Sequence, residues 1–82
     1  MSDSLSDKRF VAGYNQFQKL VRRGKAVKVY LAKDADMFFS ENIKRELKDR
    51  SEIELVTRYD SSKLASLAGV DVPTAVLTEA KD

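Results

Sequence analysis

Two amides and two cations recur at helical spacing in the stretch GYNQFQKLVRRG, from Gly13 to Gly24: Asn15 and Gln16, then Lys19 and Arg23. Residues four apart stand one above another on a helix, so Asn15, Lys19 and Arg23 would form one polar ridge. The start of a helix presents unpaired backbone N–H groups and the positive end of the peptide dipoles, and it attracts phosphate. A side-chain amide both donates and accepts, which suits the edges of bases. Cations hold phosphates and set the register of a nucleic acid, while amides discriminate among bases. The plain alternative is a solvated basic helix face.

Charge placement bears on that choice. Lys8, Arg9, Lys19, Arg22, Arg23, Lys25, Lys28 and Lys33 occur between residues 8 and 33 with no acid among them. The rest of the chain holds the remaining seven basic groups and all thirteen acids, so a local +8 stands against −6 and sums to the net +2. Such asymmetry points to a polyanion-facing surface more strongly than the total does.

Other chemistry is poorly provided for. Histidine and cysteine are absent, which removes the commonest general base, the usual nucleophile–base pairs, disulfides and thiolate metal sites. Asp34 and Asp36, two residues apart after a predicted strand, could hold Mg²⁺, but acids at such a place more often cap a helix. Three scattered glycines make no phosphate-binding loop. The expectation is a non-enzymatic protein with no cofactor and no metal. Apolar runs are too short to cross a membrane, and MSDSLSD has neither the charged start nor the apolar stretch of a secretory signal, so a cytoplasmic protein is expected.

A second group of residues is Val70, Asp71 and Val72, between Gly69 and Pro73. Apolar residues in a short loop either dip into the core or form a small platform for an unstacked base.

The elements that must position these residues follow from periodicity. Residues 1–82 make a single domain, with 1–4 and 79–82 expected to fray. Leu5–Val11 could form a short helix, and an edge strand near residues 8–13 is the alternative. Gly13 breaks the chain there. Asn15–Arg23 is helical, with Phe17, Leu20 and Val21 at about 100° per residue on the inner side and Gly24 at the C′ position. Ala26–Ala32 alternates as a strand. A helix spans residues 37–49 with Phe39, Ile43 and Leu47 inward. Glu52–Thr57 is a strand, and Asp60 or Ser61 caps a helix through Ala68 with Leu64 and Leu67 inward. Thr74–Thr78 is the last strand. Helical crossovers favour parallel neighbours in the sheet. The order implies an α/β fold with helices covering a sheet.

In this order the segments resemble those of the kink-turn RNA-binding ribosomal proteins, the L-seven-Ae and L-thirty-e family, and particularly its small bacterial members. GYNQFQK is similar to the family's Gly-x-Asn-Glu-x-x-Lys helix start. RRGKAVKVYLAKDAD is similar to its Arg-Gly, apolar strand and Ala-x-Asp-x-Asp turn. SSKLASLAGVDV is similar to its Leu-Gly-x-Ala-x-Gly helix and loop, and TAVL to its final strand. The match runs from about Val11 to Leu77.

The resemblance implies a three-layer α-β-α sandwich around a four-stranded mixed sheet. It also implies binding to a kink-turn, a bent RNA with tandem sheared G·A pairs and a bulge, by a monomer associated with the ribosome. Carried over by position, Gly13 would let the backbone approach RNA, and Asn15, Gln16 and Lys19 would contact the guanines. Arg23 and Lys33 would sit on phosphates, and Val70, Asp71 and Val72 would pack around the bulge. Four positions depart from the pattern. Gln16 replaces a frequent Glu, Met37 a frequent Pro, Ala65 a Gly and Ser66 a Lys. A protein-interaction adaptor built on the same fold is the competing expectation.

Overall fold

The computed structural model describes residues 8–81. Four strands and three helices alternate: β1 (Lys8–Ala12), α1 (Tyr14–Arg22), β2 (Ala26–Leu31), α2 (Met37–Glu46), β3 (Glu54–Val56), α3 (Ser61–Ala68) and β4 (Val76–Lys81). The sheet order is β1-β4-β2-β3. β2 and β3 are parallel, whereas β4 runs antiparallel to both β1 and β2. The fold is therefore α/β with a mixed sheet, as expected.

Each helix answers to its sequence. α1 buries Phe17, Leu20 and Val21. It ends in a Schellman turn, with Gly24 N–H donating to Val21 O and Lys25 N–H to Leu20 O, while Gly24 takes φ 71°. α2 packs Ile43 inward and is joined beneath the sheet by Leu47 and Ile53. These residues meet Val29 and Leu31 of β2 and Val76 and Ala80 of β4 in the main core. The opposite face holds a smaller core of Ala32, Leu64 and Leu77, flanked by Ala12, Tyr30 and Tyr59, with α3 as its helical cover.

Five sequence expectations need correction. Residues 8–12 form the edge strand offered as the alternative, so the helical reading of Leu5–Val11 fails there; residues 5–7, and residues 1–4, expected to fray, lie outside the described residues. The helix expected over 37–49 stops at Glu46, with turns following. The strand over Glu52–Thr57 contracts to Glu54–Val56. Leu67 is exposed, and Ala65 is buried beside Leu64 instead. Finally, β4 continues to Lys81 with Glu79 and Ala80 buried, so residues 79–81 do not fray.

The antiparallel placement of β4 has a local cause. α3 is eight residues long. The chain after it turns back, and Thr74 N–H donates to Ser61 O at 3.2 Å, beside the point where α3 began. The chain thus re-enters the sheet at the end it left, and β4 must run against β2.

Glu79 lies in the sheet's interior strand and accepts a hydrogen bond from the Tyr30 hydroxyl at 3.2 Å. Burial, and secondarily the Glu79 carboxylate, push the Tyr30 phenol from its ordinary 10.0 up to about 12. The folded chain favours the neutral phenol, so this contribution is complete below pH 10 and is lost as pH rises towards about 12. Stability should fall across that window, and Tyr30→Phe should make the fall shallower. Denaturant melts of both chains at each pH check this; identical slopes would remove Tyr30 from the alkaline response.

Candidate nucleic-acid interface

The end of the sheet where β1, β2 and β3 finish is also where all three helices begin. Leu31 pairs with Val76 and Ala12 with Leu77, so the first residues of β4 lie at this end too. Gly13 joins them through its N–H, which donates to Val76 O at 3.3 Å. Its φ of 107° and ψ of 151° belong to a region essentially restricted to glycine. Gly13 thus turns the chain out of β1 directly into α1.

The three helix starts differ in electrostatics. Asp36 caps α2 by accepting from Phe39 N–H at 2.8 Å, and Asp60 caps α3 by accepting from Lys63 N–H at 2.8 Å. α3 has a further carboxylate, since Ser61 donates its N–H to Asp34 Oδ1 at 3.0 Å and its hydroxyl to Oδ2 at 2.9 Å. The Ser61 hydroxyl bond is the main cause holding the Asp34 carboxyl below its usual range. Asp34 and Asp36 are therefore both committed to ordering helix starts. No helix has an acid within its first turn, but α1 alone of the three has no side-chain cap. Among the described residues no side chain accepts from its first N–H groups, and the positive end of its dipole has no carboxylate cap.

Asn15, Gln16 and Lys19 are exposed on α1, and Arg23 is exposed at its C-cap. From Asn15 to Arg23 is eight residues, a ridge of about 12 Å at helical rise. Neither Lys19 nor Arg23 is ion-paired among the described residues, whereas Arg22 lies 3.8 Å from Glu46. Gln18 leaves the polar set: its amide donates at 3.3 Å both to Glu46 and to the Tyr14 hydroxyl, tying α1 to α2. Lys33 is exposed just past β2, next to Ala32, whose N–H donates to Ala75 O.

The loop after α3 is held at both ends. Gly69, at φ 74°, closes a second Schellman turn, with its N–H on Ser66 O and Val70 N–H on Ala65 O. Past Pro73, the Thr74 backbone returns to Ser61. Between these anchors Val70 and Val72 are 39% and 65% exposed, which rules out the reading of either as core.

Val72 and Pro73 share a shallow groove of about 370 Å³ with Gly13, Tyr14 and Phe39. A second depression puts Val70, Asp71 and Val72 against Ser62 and Ser66. The structure thus joins Gly13 to Val72 across the start of β4, with the Asn15–Arg23 ridge leaving the groove along α1 and Lys33 at the same end of the sheet. Sequence reasoning missed Tyr14 and Phe39 as walls of the groove. Phe39 repeats with Ile43 and Leu47 and does pack against the main core, but it stays half-buried with its ring 5.5 Å from that of Tyr14, so it also walls the groove.

A mixed sheet between helices, with loops and an uncapped helix start gathered at one end, defines an α-β-α sandwich. The chain belongs to the Ribosomal protein L7Ae/L30e/S12e/Gadd45 family, whose profile matches residues 1–82. Among solved structures it is similar to the Giardia lamblia 15.5kD RNA binding protein, at 30% identity and a TM-score of 0.79 over 96% of this chain. The chain spans 64% of that protein's length. A protein of unknown function from Bacillus halodurans shares the fold, at 20% identity and a TM-score of 0.77, over 90% of this chain and 72% of its own. No curated protein sequence matches.

Proposed function

We propose that this chain binds structured RNA, with a kink-turn as its target, at the end of the sheet where α1 begins. The observation that carries the reading is the uncapped start of α1, flanked by exposed Asn15, Gln16 and Lys19 and opening onto the groove that Gly13 shares with Val72. Free N–H groups and cations suit phosphate, and the amides suit the edges of sheared G·A pairs. The exposed valines suit a base released from its stack. Family membership and the likeness to an RNA binding protein support the same class of ligand. The chain's role is then to hold a bend in RNA, in the manner of a ribosome-associated protein, without chemical turnover.

The loop separates base packing from charge attraction. Val72→Ser should leave the melting temperature nearly unchanged, because this side chain is mostly in solvent. It should weaken binding to a bulged RNA while barely changing the weak binding to a plain duplex, which is mostly electrostatic. Equal losses on both RNAs, or none on either, would take the loop out of the interface.

A further inference from the structure

Met37 and Phe38 open α2 almost uncovered, at 75% and 84% exposed. Burial of such side chains is favourable, so a large aromatic and a thioether left side by side in solvent call for an explanation. Their neighbour Phe39 behaves differently, turning onto the Tyr14 ring and forming a wall of the groove beside Gly13 and Val72. Phe38 therefore sits on the same helical turn as Phe39, a wall of the groove, at the sheet end where the helices start.

We infer that Phe38 is a stacking platform for an unpaired nucleobase of the RNA held in that groove, with Met37 packing at the edge of the stack. This rests on the reading of the groove as an RNA interface and adds a residue that sets which nucleotides beyond it must be single-stranded. The chemistry favours a base over a phosphate. The α2 start already has the Asp36 carboxylate as its cap, which repels anions, whereas a base offers an uncharged π-face. The base must be unpaired, because bases inside a duplex have both faces covered by their neighbours. Thioethers pack well at aromatic edges.

The chain contains no tryptophan, so Phe38→Trp introduces a single indole reporter. The probe is an RNA duplex interrupted by a bulge beside tandem G·A pairs, with an uninterrupted duplex as control. Phe38→Ala and Phe38→Leu should each bind the bulged RNA roughly fivefold to a hundredfold more weakly, with unchanged melting temperatures. Phe38→Trp should bind as the wild type does, and the bulged RNA, but not the control, should quench its emission. Wild-type affinity in Phe38→Ala, or an indole emission unmoved by bound RNA, would overturn the proposal. If Phe38→Ala kept full affinity while Lys19→Ala lost it in the same assay, the RNA reading of the groove would stand and Phe38 would serve a different partner, such as a protein. Failure of the wild-type chain to prefer the bulged RNA would overturn both.

Discussion

Phe17→Ala is expected to leave the domain largely unfolded at room temperature. Phe17 is wholly buried in the main core, two residues from Asn15 and Lys19 on the same helix. Truncating a buried Phe costs about 3–5 kcal/mol through lost transfer energy and the cavity left behind. Domains hold about 5–15 kcal/mol in all, and small ones sit near the bottom of that range. The melting temperature should fall by more than about 12 °C if a transition survives. An unchanged midpoint would mean that α1 does not pack this face against the sheet, and the placement of the amides and cations on the opposite face would fall with it.

Lys19→Ala should do the reverse. The side chain is exposed and unpaired among the described residues, so its loss should change stability by no more than about 0.5 kcal/mol. RNA affinity should drop roughly tenfold to a hundredfold, which is the range of a good base or phosphate contact. The salt dependence says which contact it is. A phosphate contact lowers the slope of log affinity against log salt by about one, and a pure base contact leaves it unchanged. Full affinity in the variant would place the RNA elsewhere.

These two residues show why part of the molecule is readable from the chain alone. Both lie on α1, where core and site are set by one local period, and Gly24 marks the end through a turn that needs its positive φ. β1 is only half readable in this way, as an edge strand offered beside a helix. Phe10 is exposed at the edge of the sheet and Val11 only half-buried, so the alternation that marks a strand is weak. Residues 79–81 carry Glu and Lys and look like a tail. What makes them a strand is distant: they pair with Lys8–Phe10 of β1 on one side, and Glu79 and Ala80 pair with Lys28 and Ala26 of β2 on the other. Leu67 misled because Leu64 and Leu67 share helical spacing, yet the short α3 rests on the sheet through Leu64 and Ala65. The site divides similarly. The Asn15–Arg23 ridge is local and legible, but the meeting of Gly13 with Val72 depends on β4 re-entering beside Ala12, which no local pattern encodes.

If, as proposed, the start of α1 and the Val70–Pro73 loop together read a bent RNA rather than attract any polyanion, affinity must depend on the shape of the RNA. The most direct test is the affinity of the wild-type chain for a kink-turn RNA, set against the same strands with the G·A pairs replaced by Watson–Crick pairs and the bulge closed, over a range of salt. Binding to the kink-turn should be tighter by at least about tenfold, or ~1.4 kcal/mol. That gap should persist as salt weakens the electrostatic share common to both RNAs. Equal affinities that decay together with salt would contradict the proposal and leave only a basic surface.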